Sequence, residues 1–520
     1  MEAGNLTSRR REARPARKIE MHASAAAPLN RPRLRVLIVD LNNFTSFPTL
    51  AVGILVAGLR GAGHDVQVIC PLAYGVPASF REGKENPVDA VKRRIHLSTS
   101  PSFRKVRDFA RDTRQWWINR PHPRVLRETA RALDDGPDIV LLSAYLQHYP
   151  TVAEIGKLAA GRNIPLLLGG PMFNVTAVSE QWRQVPGLAA IVGGEADLIV
   201  SELVEAVCGG EDLLRFNGVL LPTGDASPPA PPLRRLDKVP VADFTDFPWD
   251  RYPFRVVPVM TGRGCQWAKC VFCSDVITAN GRTFRTRSAE SVLTEMREQA
   301  RRHQTTNFLF IDIKLNSNPN MLRALSDGAQ RYVPGAEWIG TVHVDMRADN
   351  GLSRRELKAA VAGGMRRVSF GLETGSQKLL DAMDKGSTVE KNSEFIRHAY
   401  EAGLSVRCTM FKGFPGETAE DLMQTAEFLE EHAPYLDRVR FNEFNIIDDT
   451  PIYEAMRARA PEYENIKLTY LNHRHARAKY INKETEGLTY RRAKARALRA
   501  VAAINRKEVR RAARAFDGMM

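Results

Sequence analysis

From Leu34 to Phe444 the chain alternates short, nearly unbroken apolar runs with amphipathic segments of helical length. Apolar runs of this kind are strands buried on both faces, and intervening helices make the crossovers of parallel sheets. The first series has strands at Leu34–Val39, Val66–Cys70, Ile139–Ser143, Pro165–Leu168 and Ala189–Val192. Its helices fall at 49–61, 151–160 and 198–207. This predicts an α/β fold class with an N-terminal doubly wound, Rossmann-like domain over residues 33–215. Residues 76–132 interrupt it as an irregular, charged stretch with helical patches around Trp116-Trp117. A proline-rich linker, 216–248, contains Pro229-Ala-Pro-Pro and reads as a stiff spacer. The second series has strands at Val256–Thr261, Phe308–Asp312, Ile339–His343, Arg367–Gly371, Ser405–Met410 and Arg438–Phe444. Its helices fall at 288–303, 319–331, 353–363, 376–384, 389–402 and 418–432. Six βα units over residues 249–455 predict a partial (β/α)6 barrel, since a closed one needs eight. Residues 456–520, rich in Ala, Arg and Lys, read as a basic helical region.

The net charge of +15 lies at the ends. Residues 1–35 hold nine Lys/Arg against three Asp/Glu, and residues 461–520 hold fifteen against six. Basic ends suit nucleic acid, an acidic peptide, an anionic membrane or plain solvation. Residues 1–32 read as a disordered basic tail, with Met21 an alternative start. Arg9–Arg11 lack a following apolar stretch, so no secretory signal is expected. The longest apolar stretch, Thr49–Leu59, is too short to span a bilayer and stops at Arg60. Six cysteines are too few for a disulfide scaffold, and the expected location is the cytoplasm.

Three of those cysteines, Cys265, Cys270 and Cys273, crowd into GRGCQWAKCVFCSD just after the first barrel strand. That loop is on the face where such folds place their chemistry. Three thiolates can hold three irons of a 4Fe–4S cluster and leave the fourth open to a small chelator. A structural zinc would want a fourth ligand, and the next histidine is His303. Cys70, Cys208 and Cys408 read as ordinary buried cysteines.

This motif resembles that of the radical S-adenosylmethionine (SAM) enzymes. The usual family spacing between cysteines is three residues and then two; here it is four and then two. With Trp267 two residues after the first cysteine, it resembles the cobalamin-binding branch. The resemblance implies that SAM chelates the open iron and that Phe272 lies against adenine. It assigns Glu373, in Gly371-Leu-Glu-Thr-Gly, to the cofactor's polar groups and Arg407 to the ribose or carboxylate. Gly413-Phe-Pro-Gly-Glu-Thr matches the turn after the fifth strand. Asp312 and Lys314 follow the second strand, where relatives carry an acidic pair, and are weak catalytic candidates. In the first domain, LLLGGPMFNVTAV and AAIVGGEADLIVSELVEAV resemble a cobalamin-binding domain. They imply contacts from Phe47, Pro48, Ser143, Gly169, Gly170, Pro171, Gly194 and Glu195. The cobalt-ligating D-x-H-x-x-G is absent, and His64 and His148 read as loop or surface histidines.

The resemblance therefore implies a radical SAM enzyme using a 4Fe–4S cluster, SAM and cobalamin. Its implied reaction is reductive SAM cleavage followed by methylation of an unactivated carbon of a peptide or small natural-product precursor. Ring formation, rearrangement or epimerisation without methyl transfer keeps the same cofactors. A non-catalytic corrinoid-binding protein is the reading from another class. A flavodoxin- or ferredoxin-type electron donor is the implied partner. Nucleic acid is not expected, because tRNA-modifying relatives carry three further cysteines in the first domain, where this chain has Cys70 and Cys208.

Overall fold

The computed structural model describes residues 33–519 apart from Asn43, Thr45, residues 77–82 and Asn280. The basic tail expected over residues 1–32 lies outside the described residues. Seventeen strands follow in chain order among those described: β1 Arg35–Val39, β2 Asp65–Ile69, β3 Ile139–Ser143, β4 Leu166–Gly169, β5 Leu188–Val192, β6 Val219–Leu220, β7 Val257–Val259, β8 Gly262–Gly264, β9 Phe284–Thr286, β10 Asn307–Phe310, β11 Glu337–Val342, β12 Met365–Glu373, β13 Ser405–Lys412, β14 Arg438–Glu443, β15 Ile446–Ile447, β16 Ile466–Asn472 and β17 Arg477–Asn482.

The first sheet runs β2-β1-β3-β4-β5-β6. β1 pairs in parallel with both β2 and β3, with Val36 opposite Val66 and Ile139. The chain order reverses at β1, the switch point beyond which doubly wound sheets bind ligands. The second sheet runs β14-β13-β12-β11-β10-β7, parallel throughout and in sequence order. It is the expected partial barrel. Its helices are started by side-chain caps: Ser288, Ser353 and Thr418 accept backbone N–H bonds at 289–303, 354–362 and 419–432. The two sheets share one apolar core, from Val36 in β1 through Phe370 in β12 to Ile504 in the last helix.

Four expectations are corrected. Residues 76–132 are not irregular, because helices form at Pro87–His96, Pro101–Asn119 and Pro123–Asp134. Each opens on a proline, which suits the first helical position rather than breaking it. The linker is not a free spacer: it contributes β6 antiparallel to β5, and buries Leu236, Ala242 and Phe244. The tail is not all helical. β16 and β17 pair antiparallel, and β15 joins them, before the helix Leu488–Asn505. The alternation Ile466, Leu468, Tyr470 belongs to a strand, and the basic composition of the helix beyond it hid that period. Cys208 is exposed, whereas Cys70 and Cys408 are buried as expected.

The last described residues close the lower mouth of the barrel. Phe516 and Met519 pack with Val256, Leu309 and Ile339. The buried Arg367 guanidinium donates to the Phe516 carbonyl at 2.8 Å, and Asp517 pairs with Arg438 at 3.2 Å.

Candidate functional site

The cysteine loop is held at several points. At its entry, the buried Asp312 carboxylate accepts from the Thr261 hydroxyl at 2.7 Å and the Gly262 N–H at 2.8 Å. Burial pushes this carboxyl up to about 6 against those hydrogen bonds. The Cys265 N–H donates to the Thr283 carbonyl at 3.2 Å. Further on, the Trp267 indole N–H donates to the Asp384 carbonyl at 2.6 Å, and the Val271 N–H to that of Met383 at 3.1 Å. The Trp267 ring covers Gly386, where a Cβ would overlap it and where φ is +64°. The four-residue spacing between Cys265 and Cys270 is thus occupied by a side chain that clips the loop to a turn.

The three thiols are half-buried. Burial pushes the Cys270 thiol up, and the Cys273 thiol to about 12, while the Lys385 ammonium pulls both the other way. Among the described residues no three His, Cys, Asp or Glu side chains converge on one metal ion. Cys270 lies within electrostatic reach of both Cys265 and Cys273, and three thiolates are the ligand set of a 4Fe–4S cluster with one open iron, whereas a structural zinc takes four ligands. Bordering the loop, the buried His343, T-shaped to Trp267 at 6.4 Å, leaves its Nε2 without a hydrogen-bond partner. The surroundings are cationic as well, since Lys314 is buried against Asp345 at 2.5 Å. Asp345 also accepts from the Arg347 Nε at 3.0 Å. The residues present fit an anionic iron–sulfur cluster.

Lys385 escaped the sequence reading. It donates to Glu373 at 2.7 Å and lies 5.8 Å from the Phe272 ring centroid. Glu373, at the end of β12, has φ +62°, a left-handed backbone that costs a non-glycine residue free energy. Gly371 leaves the room for this pair, because a Cβ there would meet Lys385 Nζ at 2.8 Å. The only sequence signal for Lys385 was its place between Asp384 and Gly386 in a turn. Phe272 packs among Phe411 and Phe444, with centroids at 5.4 and 6.1 Å. Arg407 is buried on β13, on the face shared with Ser405 and opposite the core residues Val406 and Cys408. Gly413 opens the following turn at φ +82°, and Glu417 closes it by accepting from the Gly413 N–H and, at 2.6 Å, from the Tyr490 hydroxyl.

A cavity of about 390 Å³ lies where the carboxyl ends of the two sheets meet. Ser143, Gly169, Gly170, Pro171, Gly194 and Glu195 line it from the first sheet. Met260 and Asp312 line it from the second, and Arg263 and Gly264 from the β8–β9 hairpin. Deeper in, its walls are Ile54, Leu141, Leu167 and Leu203, an apolar slot under the first sheet. A space lined by both polar and apolar groups suits an amphiphilic ligand. Phe47 and Pro48 are not among the lining residues, and Phe47 instead packs near Phe516 and Met519. Gly170 and Gly194 are glycine for neighbours inside the protein: a Cβ on Gly194 would meet the Ala230 Cβ at 2.6 Å. Glu195 is held by Arg263 at 3.0 Å and Arg285 at 2.5 Å, tying β5 to the β8–β9 hairpin. Tyr145 also lines the cavity, and no motif pointed to it. His64 is buried away from it against Ser201 at 3.0 Å, and His148 accepts from the Tyr145 N–H at 3.2 Å.

Residues 259–429 match the radical SAM superfamily. An uncharacterized methyltransferase of Pyrococcus horikoshii is 29% identical over 301 residues, 56% of this chain and 64% of the relative. The chain spans between half and two thirds of the length of the first curated relatives it matches. Among solved structures, the cobalamin-dependent SAM radical enzyme OxsB aligns over 89% of this chain and 66% of its own at a TM-score of 0.65 and 15% identity. The radical SAM methyltransferase TsrM of Kitasatospora setae aligns over 90% of this chain and 89% of its own, at 0.62 and 17%. Among the described residues no helix is long and apolar enough to cross a membrane. Residues 259–429 thus carry the radical SAM superfamily match, and the chain shares the two-sheet fold of OxsB and TsrM.

Proposed function

We propose that this protein is a cobalamin-dependent radical SAM C-methyltransferase acting on an unactivated carbon of a peptide or small natural-product precursor. One observation supports it most: the apolar cavity is walled on one side by the switch-point edge of a doubly wound sheet and on the other by the loop that leads into the cysteines. Together, a 4Fe–4S cluster, SAM and cobalamin supply hydrogen-atom removal and a transferable methyl group. Cys265, Cys270 and Cys273 hold three irons. The Glu373–Lys385 pair, Phe272, Gly371, Arg407 and Gly413 form the SAM pocket. Ser143, Gly169, Gly170, Pro171 and Gly194 border the corrinoid, with Glu195 fixing the seam. Asp312 and Lys314 act as positioning residues, Asp312 by fixing the loop entry and Lys314 by holding Asp345 beside it. The closed lower mouth confines the substrate to the upper part of the barrel and limits access of water there.

The test is anaerobic reconstitution with iron, sulfide and hydroxocobalamin, then reduction with SAM and mass spectrometry of the products. Bound corrin with both 5′-deoxyadenosine and S-adenosylhomocysteine is expected. Deoxyadenosine with corrin but no S-adenosylhomocysteine would mean ring formation or rearrangement instead. Absence of cluster and deoxyadenosine, with Cys265→Ala indistinguishable from the parent, would sink the enzyme reading.

A further inference from the structure

The helices Pro87–His96 and Pro101–Asn119 invert the usual helix pattern. Val88, Val91 and Ile95 recur at helical spacing and are 59%, 57% and 51% exposed. In the next helix Val106, Phe109, Trp116 and Trp117 do the same at 59%, 75%, 66% and 57%. The first helix buries no residue at all. The side turned to the protein is polar instead. Arg111 pairs with Glu443 at the carboxyl end of β14 at 2.7 Å. The connection between the helices is fixed by the buried Lys494, which donates to the Leu97 carbonyl at 3.0 Å and the Thr99 hydroxyl at 3.1 Å. Apolar groups displayed at such periodicity form a patch that a water-facing surface does not explain.

Charge narrows the occupant. Residues 87–120 hold nine Lys/Arg against three Asp. Lys92, Arg94, Lys105, Arg114 and Arg120 are exposed beside the patch, and Arg120 stacks on Trp117 at 3.2 Å. A second copy would bring the same positive field against this one. An acidic protein surface would answer the cations but leave the tryptophans without an apolar partner. A bilayer with anionic headgroups supplies both within one interface, and tryptophan favours that depth. We propose that these two helices dock the protein in the plane of an anionic lipid surface, beside the mouth of the barrel. The inference stands independently of the proposed reaction.

Flotation of the full chain with vesicles tests it. Binding is expected to phosphatidylcholine vesicles containing about a quarter phosphatidylglycerol, in about 0.1 M salt, and to weaken as salt rises. Pure phosphatidylcholine should bind far less. Trp116→Ser/Trp117→Ser, at exposed positions, should lose at least ~10-fold in partitioning. Lys105→Glu/Arg114→Glu should lose at least ~10-fold as well, on about fivefold per cation. Both variants should keep the parent's circular-dichroism spectrum and iron content. Failure of the parent to float with either composition would overturn the proposal, as would undiminished flotation of the tryptophan variant. A concentration-dependent dimer dissolved by the same substitutions, without flotation, would assign the surface to a second copy.

Discussion

The parallel strands of both sheets turn their carboxyl ends to one seam, and the two sheets equip it in opposite ways. The barrel edge works through side chains: three thiols, the buried Glu373–Lys385 pair, and Asp312 bracing the loop entry. The first sheet's edge works through room: small residues and an apolar slot between Leu141, Leu167 and Leu203. A site made of charged groups fails when one partner is removed. A site made of space fails when something is added.

The sharpest break comes at the thiols. Cys265→Ala is expected to lower iron retention and 5′-deoxyadenosine formation more than ~100-fold, beyond the usual effect of an outer-shell change. Circular dichroism should stay unchanged. Next is the ion pair. Lys385→Met leaves Glu373 buried without its cation, a loss of about 3 kcal/mol by denaturant unfolding. Lys385→Met/Glu373→Gln should recover most of it; equal destabilisation of single and double variants would dissolve the pair's structural role.

On the side made of space, Gly169 and Gly194 separate two meanings of glycine. A Cβ on Gly169 meets nothing nearer than the Val192 carbonyl at 3.6 Å. Gly169→Val should therefore cost under ~1 kcal/mol of stability and about tenfold in corrin retention, with iron content unchanged. Gly194→Val should instead destabilise by about 1–3 kcal/mol, through Ala230.

The smallest effect is a slope. Burial raises the Glu417 carboxyl to about 7 from its ordinary 4.5. The folded chain then keeps a proton the unfolded chain has released. Stability should fall as pH rises from about 4.5 to 7, by on the order of 3 kcal/mol. Glu417→Gln should remove that slope, read from denaturant midpoints across the window. Parallel slopes in parent and variant would refute it.

The same contrast governs what could be read from residues alone. Strands such as Ile139–Ser143 and Leu188–Val192 were legible because burial on both faces writes an unbroken apolar run. The cysteines were legible because ligand chemistry tolerates few residue types. Lys385 was not, because its partner Glu373 lies twelve positions away and only the fold joins them. Phe47 and Pro48 share the loop beyond β1 with cavity-lining residues, yet they do not line the cavity. The first-sheet edge was readable to the loop, not to the side chain, because space carries no residue signature. The exposed faces of 87–96 and 101–119 were obscured for a related reason: periodicity announces a helix, but not whether its apolar side has anything to cover.

The tethering of the cysteine loop has a consequence for assembly. Trp267 and Lys385 meet on the same short turn, Asp384–Gly386, so the thiols and the Glu373 clamp are one mechanical body. Metal sites that fold only on loading draw their structure from the metal. Here the frame is already hydrogen-bonded to the barrel through Thr283, Met383 and Asp384. Because those bonds run between protein groups alone, replacing the thiols should leave the barrel standing.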